Sequence, residues 1–222
     1  MSRVHWSCVV VFACLTGCTL QACGASPTSP SSPSAITFEF DGTLQHSCTV
    51  TESHTCDDAP FGSGVAPGTA ISGHLRFDPN MPGVIILSTA TSRLVSYSGV
   101  AVDFMVGSSL VSGNDSSLGA LEVDSYSDQY DQFGVTVARG FRVGQVAGLS
   151  VDYFSLVLPI VPTRFPDASL PRNPNIFDLN LQYAGAPLAS VVISHYASPD
   201  LAFVDGPGSR LQGQIRTVKL LQ

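Results

Sequence analysis

Two short repeats hold the residues best suited to chemistry, His46-Ser47-Cys48 and His54-Thr55-Cys56. Two thiolates and two imidazoles make the donor set of a tetrahedral zinc site. Alternatively, Cys48 and Cys56 oxidise to a disulfide that staples the loop between the first two strands, worth about 2–3 kcal/mol for so small a loop. The compartment decides between these outcomes, because thiols oxidise outside the cytoplasm and stay reduced within it.

A second group, Asp115, Glu122, Asp124, Asp128 and Asp131, falls within 17 positions that contain no Lys or Arg. Hard oxygen ligands in loops between strands suit calcium. The spacing matches no EF-hand loop, however, and a solvated acidic rim is the plainer reading. Tyr126, Tyr130 and Tyr153 offer a stacking platform for sugars, although strand tyrosines are ordinarily half-buried packing. Hydrolase signatures are absent: there is no Gly-Xaa-Ser-Xaa-Gly elbow and no His-Glu-Xaa-Xaa-His. His74 and His195 each fall on an expected strand, and Glu39, Glu52 and Glu122 mark no carboxylate pair of the glycosidase kind. No catalytic residue, metal ligand or cofactor is assigned, and the chain is read as a non-enzyme.

The start of the chain supplies the compartment. An apolar stretch, Val4 to Leu15, follows Arg3 and runs into Leu15-Thr16-Gly17-Cys18. It is about a dozen residues long, short of the ~20 that a spanning helix needs. A positive start, an apolar middle and small residues at the end fit a signal peptide. Leu, Thr and Gly ahead of Cys18 resemble the lipobox of bacterial lipoproteins. That resemblance implies a diacylglycerol thioether on Cys18, which becomes the new N-terminus. Thr19, standing where Asp would retain the protein at the inner membrane, implies sorting to the outer membrane of a Gram-negative cell. A second register, Leu20-Gln21-Ala22-Cys23, fits less well because of Gln21. Several acyl chains together anchor stably where one alone is marginal.

Export weights the cysteine pair toward the disulfide Cys48–Cys56, with His46 and His54 facing solvent. Residues 1–17 are thus the lipoprotein signal peptide, 18–35 a disordered Ser/Pro-rich linker, and 36–222 the folded domain. The linker is too rich in Pro for a helix and too polar to fold.

Removing residues 1–17 takes Arg3 but no acidic residue, so the net charge moves from −7 to −8. Lys219 is the only lysine. Without a basic cluster, nucleic-acid binding has no electrostatic footing, and the membrane partner must be reached through the lipid. Hydrophobic residues make up 44% of the chain and charged ones 12%, enough core for one large domain.

Ile36, Phe38 and Phe40 alternate with Thr37, Glu39 and Asp41, as a half-buried strand requires. The same period runs through Ile71–Asp78. Further strands are expected at 84–87, 93–97, 100–106, 120–124, 133–138, 151–158, 177–183, 191–196 and 211–220. Turn residues such as Asp78-Pro79-Asn80 separate many of them. No stretch keeps a 3.6-residue period, so the expectation is an all-β antiparallel sandwich or jelly roll. The Pro-rich segment 159–174 reads as a crossover or surface loop.

Phe40-Asp41-Gly42-Thr43, Pro67-Gly68-Thr69-Ala70-Ile71-Ser72-Gly73, Leu75-Arg76-Phe77-Asp78-Pro79, Asp124-Ser125-Tyr126 and Gly213-Gln214-Ile215 occur in that order. This series resembles a group of exported bacterial β-domain proteins, many of which carry a C-terminal PEP-CTERM sorting tail. The resemblance covers residues 36–220 and implies a β-domain, with no activity or catalytic residue to carry over. The chain departs from the group in the segment His46–Cys56, and it stops at Gln222 without such a tail, so the lipid on Cys18 is expected to anchor instead. The functional expectation is a lipid-anchored envelope protein at the outer membrane or cell surface, a structural or binding module whose ligand is unknown. The rivals are a calcium-dependent carbohydrate-binding domain and a secreted polysaccharide hydrolase.

Overall fold

The structure is a computed structural model. It describes residues 35–53, 55–89, 92–113, 119–126, 131–138, 144–160, 169–183, 186–197 and 207–221. The strands are β1 (Ile36–Val50), β2 (Cys56–Asp58), β3 (Ala70–Phe77), β4 (Val84–Ser88), β5 (Ser92–Ser98), β6 (Ala101–Val106), β7 (Ser109–Gly113) and β8 (Gly119–Tyr126). They continue with β9 (Asp131–Ala138), β10 (Gln145–Val146), β11 (Leu149–Ser150), β12 (Tyr153–Ile160), β13 (Gln182–Tyr183), β14 (Ala186–Pro187), β15 (Ser190–Tyr196) and β16 (Gly208–Leu221). Among the described residues the only helical turn is a 3-10 turn at Pro174–Ile176, which Asn173 caps through the Asn175 N–H. The all-β antiparallel expectation is what the structure has.

Twelve strands form one sheet, in the order β4-β5-β8-β9-β12-β15-β16-β1-β3-β6-β7, with β2 beside β1. Every pairing is antiparallel. The sheet curls over on itself into a sandwich, and ring contacts measure the curl. Phe77 on β3 and Phe133 on β9 lie five strands apart along the sheet, a path of about 24 Å at the usual strand spacing, yet their centroids are 6.0 Å apart. Phe104 on β6 stacks on Phe154 of β12 at 4.7 Å across a similar path. β9 and β12 therefore face β1, β3 and β6.

Alternation produces this interior. On β3, Ile71, Gly73, Leu75 and Phe77 point inward while Ser72, His74 and Arg76 point out. Among the described residues, seven phenylalanines are fully buried: 38, 40, 61, 77, 104, 133 and 154. Each such ring contributes roughly 1.5–3 kcal/mol by leaving water. Phe61 arrives from a loop, held where the Ser63 N–H donates to the Ala147 carbonyl at 2.8 Å.

β1 and β16 run 15 and 14 residues through the bend, and the β1–β16 pairing slips between Asp41 and Gly42 and again between Leu44 and His46. Each slip is a bulge that sharpens the local twist and bends the sheet. Gly42 is required at the first, because a Cβ there would stand 2.3 Å from the Gln214 carbonyl oxygen. The two edges of the sheet differ. β7 has the β10–β11 hairpin packed beside it. β4, at the other end, exposes Val84, Ile85, Ile86 and Leu87 by 47% to 65%.

Two expected elements take another form. The strand expected at 177–183 is reduced to an isolated bridge from Phe177 to Ile160, directly after the 3-10 turn, and the two residues of β13. Phe177 serves as a plug, its ring 5.9 Å from Phe38 and 5.7 Å from Phe133. The loop expected from His46 to Cys56 is in large part strand, since β1 continues to Val50 and β2 pairs back onto it. Cys18, Cys23, the linker before residue 35, His54, Asp115, Asp128 and Tyr130 lie outside the described residues.

Candidate functional site

Titratable and nucleophilic side chains gather at three places, each built by strand register. At the end of β1, Cys48 stands opposite Asp58 and Val50 opposite Cys56, which places both cysteines on one face of the β1–β2 hairpin. Cys48 and Cys56 are joined as a disulfide with Cα atoms 5.4 Å apart. Thr51 and Thr55 close the turn, the Thr51 N–H donating to the Thr55 carbonyl at 2.9 Å. The bridge thus staples a hairpin rather than a free loop. His46 does not simply face solvent: its Nε2 is 3.7 Å from Cys56 Sγ and its Nδ1 is 3.4 Å from Asp58 Oδ1.

On the outer face, Glu39, His74 and Asp103 occupy one rung across β1, β3 and β6, with Lys219 of β16 opposite Glu39. His74 Nδ1 and Asp103 Oδ1 are 2.7 Å apart. Signs alternate along the rung wherever His74 is protonated, and cross-strand pairs of this kind contribute about 0.2–1 kcal/mol each. The rung borders a hollow of about 130 Å³ that Met105 and Leu110 complete. A third histidine brings together the residue types of a hydrolytic triad, Ser150, Asp152 and His195. Ser150 Oγ is 3.1 Å from His195 Nδ1, and Asp152 Oδ2 is 3.0 Å from the same nitrogen.

That wiring is wrong for nucleophilic catalysis. A triad needs the acid on one ring nitrogen and the serine on the other, so that the imidazole relays the proton. Here both partners share Nδ1, and Ser150 donates to Asp152 Oδ1 at 3.3 Å. Asp152 also accepts from the Tyr196 N–H at 2.9 Å. The cluster ties the segment after β11 to β15.

A hollow of about 320 Å³ spans β15, β16 and β1. Gln45, His46, Ser190, Val192 and Gln212 line it. Gln45 Nε2 donates to Gln214 Oε1 at 2.8 Å across the same strands. The Gln45 and Gln212 amides, the Ser190 hydroxyl and the His46 imidazole are its polar side chains, and no Phe, Tyr or Trp is among its described lining residues.

The other expected sites are not brought together by described side chains. Tyr153 meets Tyr196 edge-on at 6.4 Å, so it packs within the sheet. On the backbone, Glu122 pairs with Gly134, Asp124 with Gln132 and Asp131 with Ser125; the side chains of these three acids and of Tyr126 lie outside the described residues. The sequence gives no sign of the partners of the three described histidines. Asp103 lies 29 residues from His74, and Ser150 lies 45 from His195. Separations of that size carry no local signal; only the strand order could have supplied them. No protein-family model, no curated protein and no solved structure matches the chain.

Proposed function

We infer that this chain is an exported, lipid-anchored β-sandwich that serves the cell envelope as a binding or structural module, without catalytic turnover. The observation that carries the reading is the Cys48–Cys56 bridge. Disulfides persist in oxidising compartments, and a bridge in the domain agrees with a chain that begins with an apolar leader and a lipobox. The lipid on Cys18 supplies the membrane partner, and the Ser/Pro linker holds the domain clear of the bilayer. Aromatic rings fill the interior, so ligands are met on the outer face. The hollow over β15, β16 and β1 is the place for one, because Gln45 and Gln212 offer amide donors and acceptors to a hydroxyl-rich or amide-rich surface.

Membrane fractionation tests the anchor. Cys18→Ala should move the protein from the membrane to the soluble fraction. Unchanged partition rejects lipidation at Cys18, and release by Cys23→Ala alone moves it to the second register. A glycan and envelope-polymer screen, run with and without calcium, tests the rest. Binding that Gln45→Ala and Gln212→Ala abolish supports the hollow. Binding that needs calcium favours the carbohydrate-binding rival, and release of shortened polysaccharide makes the protein a hydrolase.

A further inference from the structure

We propose that Cys48, Cys56 and His46 form a redox-gated metal site, closed as a disulfide and opened by reduction to hold a thiophilic divalent ion such as zinc. The inference does not depend on the functional reading above. Two sulfurs and one imidazole nitrogen lie within 4.8 Å of one another at the end of β1. In tetrahedral zinc coordination, Zn–S bonds of ~2.3 Å and Zn–N bonds of ~2.0–2.1 Å put neighbouring sulfur and nitrogen ligands about 3.6 Å apart. His46 Nε2 already stands 3.7 Å from Cys56 Sγ. Two thiolates on the same ion sit about 3.8 Å apart by the same bond lengths. The freed sulfurs reach that separation by side-chain rotation, with the β1–β2 pairing intact.

A carboxylate completes the argument. Histidines that bind metal through one nitrogen generally give the other N–H to a carboxylate or carbonyl, which fixes the tautomer and raises the ligand's basicity. Asp58 Oδ1, 3.4 Å from His46 Nδ1, occupies that place. Closing that 3.4 Å approach to a hydrogen bond would hold the proton at Nδ1 and leave the Nε2 lone pair toward the sulfurs. The site is also held by backbone, since Cys48 and Asp58 are directly opposed in the ladder. Asp58 is therefore a positioning residue, and His46 and the two cysteines are the ligands.

A dithiol reductant gives two electrons and two protons to the Cys48–Cys56 bond and leaves as its own disulfide, giving two thiols. Zn²⁺ then displaces both thiol protons to solvent, forming two Zn–S bonds and one Zn–N bond, with water at the fourth corner. Cys56 is exposed, so the reductant has a sulfur to attack, whereas Cys48 is 1% exposed. Two thiolates neutralise the ion, so loading adds no net charge to an acidic chain.

The test uses the full chain in detergent. Alkylating the unreduced protein first caps every thiol outside the bridge, including those of Cys8, Cys14, Cys18 and Cys23 where free. A phosphine then opens the bridge, and zinc is titrated against a chromophoric chelator. Reduced protein should take one zinc per chain where the bridged protein takes none, and Co²⁺ in its place should give the intense near-ultraviolet sulfur-to-metal band. His46→Ala and Asp58→Asn should each weaken zinc binding at least tenfold. Equal zinc uptake by reduced and bridged protein overturns the proposal, as does unchanged affinity in His46→Ala. Should that variant fail to fold, diethyl pyrocarbonate labelling of the reduced wild type decides: zinc must protect His46, and undiminished labelling removes it as a ligand.

Discussion

Opening the Cys48–Cys56 bridge, with a chelator present to keep metal from the freed thiols, should lower the melting temperature by about 6 °C. The bridge spans a sequence separation of 8 and so closes a loop of nine residues. Loop-closure entropy for nine residues corresponds to about 2.6 kcal/mol at 25 °C. An unfolding entropy of ~2.1 cal/mol/K per residue, over the 190 residues from Pro33 to Gln222, comes to about 0.4 kcal/mol/K. The ratio of the two gives the shift. Calorimetric scans of the full chain with and without a phosphine reductant measure it directly. A shift of this size assumes that the hairpin tip unfolds together with the sandwich. All three residues of β2 are exposed, so the tip brings little burial of its own. A shift below about 2 °C would refute the assumption and make β1–β2 a separately fraying unit.

Phe154→Ala should destabilise the domain by about 3–5 kcal/mol, because the ring is fully buried between Phe104 and Phe40 and its loss leaves a cavity no neighbour can fill. Chemical denaturation reads this value, and a loss under about 1 kcal/mol would mean that the two layers do not close on that ring. Ile86→Lys, on the exposed edge strand at 60% exposure, should leave stability within about 0.5 kcal/mol while raising the concentration at which light scattering detects aggregates. A marked loss of stability with unchanged scattering would show that β4 is covered in the folded protein.

Period two made most of the sheet readable in advance, and it failed where the physics of a sheet departs from strict alternation. β3 is the plain case: apolar and polar residues take turns from Ile71 to Phe77, and the strand is there. β1 begins as plainly, but the bulges at Asp41/Gly42 and Leu44/His46 each shift the pairing by one residue. Only the second puts its extra residue, Gln45, on β1 itself, and the shifted parity there looks like the end of a strand, so the stretch through Cys48 reads as loop although it is ladder. Val84–Leu87 reads as a strand and is one, but an unbroken apolar run ordinarily marks a strand buried on both faces and here it forms an exposed edge. At Phe177 the apolar spacing was real, yet its ring serves the core as a plug between Phe38 and Phe133.

Chemistry followed the same division between local and cross-strand information. The pairing of Cys48 with Cys56 is a contact eight residues apart and was visible as spacing. Asp58 was not, because its place beside His46 comes from the hairpin register, which stacks Asp58 over Cys48. His74 with Asp103, and His195 with Asp152 and Ser150, depend on strands that become neighbours only after the sheet has formed. This has a consequence for judging such clusters. Three of the described histidines each meet a carboxylate, so a His–acid pair in this chain is by itself no sign of function. What separates them is the second ring nitrogen. Only at His46 do recorded contacts place a carboxylate at one nitrogen and a sulfur at the other, the arrangement that lets an imidazole be held from behind while it binds in front.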